Sequence, residues 1–274
     1  MRETVEGESE MARETAIEWT DHTWNGLIGC SKVSPGCLHC YAETIAATKF
    51  RRFLKGPVWG SANARYVTSD NKWREPLRWA RQARESGERP LIFGNSLYDL
   101  FDDHPTTNAT RPRIWELVDE TRDVLTWLFL TKRPERIASC LPATWGEFWE
   151  GVWLGTSVEN ADYVDRVDHL RGVSAAVRFL SVEPALGPVA EALTGRMAGI
   201  DWVIWGGESG PGFRPADHQW ARDLHALCRE TSTAFFFKQS AGARAGTGKM
   251  LDGREIKEFP VPRTHAVVSH SLAE

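Results

Sequence analysis

The sequence predicts an α/β protein built as a parallel β/α barrel, complete or partial, with a doubly wound open sheet as second choice. Three observations lead there. Short apolar runs alternate with helical patterns, and such alternation implies parallel units joined by right-handed crossovers. The runs are nearly continuous in apolarity, as strands covered on both faces are. Most of them end in polar side chains, and in β/α barrels chemistry sits at the carboxyl ends of the strands.

The runs, in chain order, are PLIFGNS (90–96), VLTWLFLT (124–131), GVWLGTS (151–157), AVRFLSV (176–182), IDWVIWGG (200–207) and TAFFFKQ (233–239). Helical patterns lie between them. KWREPLRWARQARESG (72–87) puts Trp73, Leu77 and Ala80 on one face, with Gly87 as a stop. RPRIWELVDETRD (111–123) spaces Ile114, Leu117 and Val118 helically. ENADYVDRVDHLRG (159–172) offers Asn160 as a cap and Gly172 as a terminator. PADHQWARDLHALCRE (215–230) has Pro215 near its start and Trp220, Leu224 and Leu227 inside. LDGRE reads as a tight hairpin turn through Asp252 and Gly253. Residues 1–16 are acidic and poor in anchoring apolar side chains, so disorder is expected there. One domain over 17–262 and a loose tail over 263–274 complete the expected division.

The 274 residues carry a formal net charge of -4, so no global basic field advertises nucleic acid, though a local groove stays open. No apolar run reaches the roughly 18 residues of a membrane span. The N-terminus lacks the apolar core of a secretory signal. A cytoplasmic protein without membrane contact is expected.

The strand ends supply the candidate ligand contacts. PLIFGNS runs into Asn95, Ser96 and Asp99; VLTWLFLT ends in Thr131, Lys132 and Arg133; GVWLGTS leads to Glu159. AVRFLSV reaches Glu183, IDWVIWGG reaches Gly206, Gly207 and Glu208, and TAFFFKQ ends in Lys238 and Gln239. Parallel strands would bring these groups to one rim. Glu183, Glu208, Lys132 and Lys238 are the candidates for chemistry, the lysines for an anionic substrate group. Lys132, Arg133, Arg136 and Lys238, with Arg51, Arg52 and Lys55, could together form a basic rim suited to a nucleotide or nucleic acid through phosphate contacts. GARAGTGKM (242–250) fails the phosphate-loop pattern, since Ala243 and Met250 replace its Gly and Ser/Thr. It is expected instead as a loop closing near the barrel mouth.

Cys30, Cys37 and Cys40 lie within one short stretch, GCSKVSPGCLHCYAE, of a chain with 5 cysteines. Gly29, Pro35 and Gly36 supply turns that let such a loop curl. Clustered thiols of a reducing compartment point to a metal site. Three readings are open: a [4Fe–4S] cluster on three thiolates with one iron open, a structural zinc completed by His39, His22, Cys140 or Cys228, or free structural thiols. Trp19, Trp24 and Tyr41 flank the cluster in sequence.

IEWTDHTWNGLIGCSKVSPGCLHCYAE resembles the opening of a phage and bacterial family of uncharacterised, radical-SAM-like proteins. NSLYDLF, FLTKRPERI, GTSVENADYVDRVDHLR, SVEPALGP, WGGESGPGFRP and FFFKQ carry the resemblance across residues 17 to 260. It implies a partial β/α barrel of the radical-SAM type, with Cys30, Cys37 and Cys40 holding a [4Fe–4S] cluster whose open iron binds S-adenosylmethionine. Reductive cleavage to a 5′-deoxyadenosyl radical would follow, fed by an electron-donor protein. Asn95, Ser96 and Asp99 become candidates for the methionine or ribose of that cofactor, with Glu159, Gly206, Gly207 and Glu208 lining the same cavity. The loop departs from the usual C-x3-C-x2-C by three extra residues, and His39 stands where an aromatic residue is usual. The rival from another class is a zinc-stabilised Cys3His binding protein, without turnover, for a partner such as nucleic acid.

Overall fold

The computed structural model describes residue 15 and residues 17–265. The expected disordered segment therefore lies, apart from residue 15, outside the described residues. The strands are β1 (His22–Thr23), β2 (Leu27–Ile28), β3 (Tyr66–Val67), β4 (Leu91–Phe93), β5 (Thr126–Thr131), β6 (Val152–Ser157), β7 (Val177–Val182), β8 (Trp202–Gly206) and β9 (Ala234–Gln239). The helices are α1 (Tyr41–Lys49), α2 (Asp70–Ser86), α3 (Pro105–Thr121), α4 (Ile137–Cys140), α5 (Asp165–Arg171), α6 (Ala190–Leu193) and α7 (His218–Glu230).

Seven strands form one sheet in the order β1-β4-β5-β6-β7-β8-β9, and every neighbouring pair is parallel. The ends of that order, β1 and β9, do not pair among the described residues, so the sheet is a partial barrel with a seam. All six expected strands form. β1 was too short and too polar to register as an apolar run. The antiparallel pair β2–β3 brackets residues 29–65, which contain the cysteine stretch and α1.

Alternation along the strands decides which side chains reach the barrel interior. Phe93, Leu128, Trp153, Phe179, Trp202, Ile204 and Phe236 pack with Trp19 into an inner core. Trp127, Phe129, Leu180, Val203, Trp205, Phe235 and Phe237 face outward into the helix-covered core. The strands therefore read as continuous apolar runs because both faces are covered. Continuing the inner register past the strand ends puts Asn95, Lys132, Ser157, Glu183, Glu208 and Lys238 at the inner rim.

The helices differ in detail from the periodicity. In α2 the buried face is Trp73, Pro76, Trp79, Ala80 and Ala83, and Leu77 is exposed. Trp79 outcompetes it because its ring stacks on His22, centroids 4.4 Å apart. α3 starts at Pro105, a turn and a half ahead of the expected position, because His104 caps it by accepting from the Thr106 amide. Asn160 caps a short 3-10 turn ahead of α5 in the same way. Leu224 and Leu227 are buried in α7, whereas Trp220 is half-buried. Asp252 (φ 52) and Gly253 (φ 77) make the expected tight turn. At the barrel base Arg263 donates to the Ala175 carbonyl and to Asp201, which ties the chain down where the tail begins. No described helix is long and apolar enough to cross a membrane.

Candidate functional site

The cysteine stretch arches over the carboxyl rim of the barrel. Pro35–Cys37 form a 3-10 turn, closed by the Cys37 amide on the Ser34 carbonyl (2.9 Å). Cys40 then stands at the N-cap of α1. All three cysteines are free thiols of intermediate exposure. They line one cavity of about 140 Å³ together with Asn95, Asp99 and Lys132. Cys37 and Cys40 also border a neighbouring cavity of about 150 Å³, whose far wall carries Glu183, Glu208 and Lys238. Tyr41 lines both, and also a third cavity of about 730 Å³ at the seam. Trp19 contributes to the middle cavity. Trp24 instead packs in the outer core, edge-on to Trp73 and Trp127.

Three groups of charged side chains hold this arch, each rooted in the barrel. The first is buried beneath Cys30. Arg133 pairs with Asp99 (2.8 Å) and Asp102 (3.0 Å), donates to the Ser31 carbonyl (2.8 Å), and reaches the Cys30 Sγ at 3.8 Å. Arg65 pairs with the other oxygen of Asp102 (2.7 Å) and donates to the carbonyls of Val58, Gly60 and Asn63. Such chains are tolerated in a dry interior only when every charge finds a partner, and here the partners include the backbone of the arch.

The second is centred on Glu159, which is fully buried. It takes Arg166 (2.8 Å), Lys132 (3.1 Å) and the Ser34 hydroxyl (2.6 Å). Burial alone would raise its pKa; Lys132 and Arg166 outweigh that and hold the carboxyl below its usual range. The third is centred on Glu208, which receives both the Arg214 fork and His39 Nδ1 (3.0 Å). Arg214 donates onward to the Pro35 carbonyl (3.0 Å). Burial raises the Glu208 pKa, but the bonds from Arg214 and then His39 prevail and hold it at about 2.

The Glu208 carboxylate makes stability depend on pH. Its pKa falls from an ordinary 4.5 to about 2 on folding. The stabilisation is therefore complete above 4.5 and is lost as pH falls toward 2. Glu208→Gln should melt below the wild-type chain at neutral pH, and the gap should close between pH 4.5 and 2. A gap that stays constant over that range would contradict the ion-pair account.

The Asn95 amide bridges the Leu130 carbonyl (2.7 Å) and amide (3.1 Å), locking β4 to β5 at the rim. Ser96 accepts from Asn25, and its carbonyl accepts from Tyr41. Glu183 and Lys238 pair at 2.5 Å across the mouth. Gly206 leaves room for the Glu183 side chain, since a Cβ there would lie 3.0 Å from its Cδ. Gly207 packs on Ala241 backbone, where a Cβ would come within 2.1 Å of a nitrogen. Asp99, Glu159 and Glu208 thus face the cysteine arch and its supports. Arg65, Arg166, Arg214 and Ser34 were not singled out from sequence. Arg65 and Ser34 are bound into the site by pairing across 37 and 125 positions, which local pattern does not reveal. Arg166 and Arg214 stand only 7 and 6 positions from Glu159 and Glu208, so the short spacing of acid and arginine was a signal the sequence offered.

The candidates for a fourth zinc ligand are all engaged elsewhere. His39 is bonded to Glu208, His22 stacks on Trp79, and Cys140 and Cys228 are buried in α4 and α7. Among the described residues no three His, Cys, Asp or Glu side chains converge closely enough for a single ion. The three free thiols line one common cavity, and thiolates are the donor type that iron–sulfur clusters take. Burial, and next the Asp99 charge, push the Cys30 thiol up to about 12. Burial also raises Cys40, opposed by the amides of Glu43 and Ala42 at the start of α1. As bare thiols they are poor nucleophiles; a cationic group bound among them would drive off the protons.

A parallel β/α partial barrel with a three-cysteine arch over its carboxyl rim is the class this chain defines. Residues 14–260 match a family described as "Protein of unknown function (DUF5131)", and the chain belongs to that family. No curated protein matches it in sequence. Among solved structures it is similar to a mutant of spore photoproduct lyase, at 16% identity and a TM-score of 0.47. The match covers 84% of this chain and 65% of the other.

Proposed function

We propose that this chain is a radical-SAM-like iron–sulfur enzyme in which Cys30, Cys37 and Cys40 hold a [4Fe–4S] cluster with one iron open to S-adenosylmethionine. The observation that carries the reading is the set of three free thiols from one short stretch around one rim cavity. When bound and reduced, such a cluster supplies an electron to the sulfonium of S-adenosylmethionine, leaving methionine and a 5′-deoxyadenosyl radical. The chain's own residues have distinct tasks. Arg133 fixes Cys30, Arg65 fixes the adjacent Ser31, Glu159 fixes Ser34, and Glu208 with Arg214 fixes His39 and Pro35. Trp19, Phe93 and Leu130 present an apolar wall to the middle cavity. Glu183 and Lys238, at the join between that cavity and the seam cavity, are placed to meet a polar substrate group. Free thiols and a low-potential cluster suit the cytoplasm, where an electron-donor protein would supply the reductant.

The test is direct. Anaerobically purified chain should be brown, absorb broadly near ~400 nm and carry about four irons. With S-adenosylmethionine and a strong reductant it should release 5′-deoxyadenosine. Cys37→Ala should abolish both. Colourless chain carrying one zinc would overturn the reading, and a cluster that never cleaves the cofactor would confine it to iron–sulfur binding.

A further inference from the structure

We propose that the seam cavity binds one nucleotide of a single-stranded nucleic acid, with the base against Phe50, Phe53 and Tyr66 and the flanking phosphates on Lys49, Arg51, Arg52 and Lys55. As a substrate site it rests on the reading of the cysteine arch given above; as a binding site it stands on its own geometry.

The cavity measures about 730 Å³, within the range of pockets that enclose a ligand of nucleotide size. It opens between the edge strands of the sheet and shares Tyr41, Glu183 and Lys238 with the cavity beside the cysteines. A ligand seated in it therefore abuts the proposed reaction centre. Its wall on the α1 side carries Ile45, Lys49, Phe50 and Phe53. Phe53 is 54% exposed, which is costly for an apolar ring in water and useful for one that stacks on a base. The Arg52 guanidinium lies 5.4 Å from its centroid.

The charge pattern selects the ligand. Residues 49–55 read KFRRFLK: cations interleaved with aromatic rings, at the end of α1. Lys49, Arg51, Arg52 and Lys55 have no carboxylate partner among the described residues, whereas Lys32, Lys72, Lys132, Lys238, Lys249 and Lys257 all do. The acids that line the cavity are already neutralised: Glu18 by Lys249 and Lys257, Glu183 by Lys238. The mouth thus presents net positive charge in a chain whose total is -4. Of the four free cations only Lys49 lines the cavity. The other three lie beyond it along the chain, where a lone nucleotide has no phosphate to offer but a strand does. A base paired in a duplex could enter only by flipping out of its stack, a cost that a single strand does not carry, and this favours the single strand.

The experiment is fluorescence anisotropy with the full chain, purified anaerobically, and labelled single strands of about fifteen mixed bases, DNA and RNA, at roughly 50 mM salt. Binding is expected, with Phe53→Ala weakening it about fivefold or more. Arg51→Glu with Arg52→Glu should weaken it at least tenfold and reduce the salt slope by about 1.4, or 0.7 per lost phosphate contact. Arg81→Glu, an exposed cation on α2, should change it less than twofold. Phe53, Arg51 and Arg52 are exposed, so the variants should melt with the wild-type chain. Binding of neither strand, equal loss in Arg81→Glu, or competition by a mononucleotide as strong as by the strand would each overturn the proposal. Iron with no strand binding would sink only this inference; strand binding without iron would sink only the cluster.

Discussion

Arg133→Ala should lower stability by about 3 kcal/mol, the low end for removing one partner of a buried ion pair, and should strip the chain of most of its iron. For a chain of this size that is a fall in midpoint of roughly 6–12 °C. Arg133 is 8% exposed and faces Asp99 and Asp102, themselves 8% and 4% exposed. Without the guanidinium, Asp99 keeps the Thr131 hydroxyl and the Phe101 amide, and Asp102 keeps Arg65. Each acid thus retains a partner, which places the cost at the low end. The arch loses more. Arg133 is the link from β5 to both the Ser31 carbonyl and the Cys30 thiol. Arg133→Lys preserves the charge but not the fork that reaches two acids and a carbonyl together, so it should fall between the two in both readouts. Thermal melting by circular dichroism and iron per chain measure the effects. Full iron in an Arg133→Ala chain that is destabilised as expected would show that the guanidinium serves the fold and not the cluster.

Why some of this was legible in sequence and some was not comes down to range. Strands such as VLTWLFLT and TAFFFKQ announce themselves because both faces are covered, the inner by Trp19, Trp153 and Trp202 and the outer by helices. The same burial let the strand ends be read as one rim, and period-two alternation could have sorted that rim further. From Leu128 and Leu130 the inner register passes to Lys132; from Phe236 it passes to Lys238. The edge strand β1 gave no signal, since His22 and Thr23 pair only with β4. Nor could local pattern foresee that Asp99, Glu159 and Glu208 would turn toward the cysteine arch. Their partners are Arg133, Ser34 and His39, separated from them by 34, 125 and 169 positions. A carboxylate at a strand end looks the same in sequence whether it meets a ligand or a distant loop.

The close contact between Gly36 and Glu159 separates the arch from the barrel energetically. A Cβ on Gly36 would sit 2.4 Å from the Glu159 Oε1 and 2.8 Å from its Cδ. Normally a carboxylate tip would swing aside. Here Arg166, Lys132 and Ser34 hold it from three directions, so the arch must retreat instead, and Cys37 is the next residue. Gly36→Ala should therefore cost only about 1–2 kcal/mol, as overpacking of one methyl does, while iron falls from about four to below one per chain. The barrel core, which the arch does not enter, should keep its near-ultraviolet dichroism. Shortening the obstacle tests the cause: Glu159→Asp withdraws the carboxylate by one methylene, and combined with Gly36→Ala it should recover iron that either change alone loses. Residues in contact show such non-additivity, whereas independent ones do not. Strictly additive losses in the double variant would mean that Gly36 matters for the curl of the turn and not for its approach to Glu159, and the anchoring of Cys37 through that carboxylate would have to be given up.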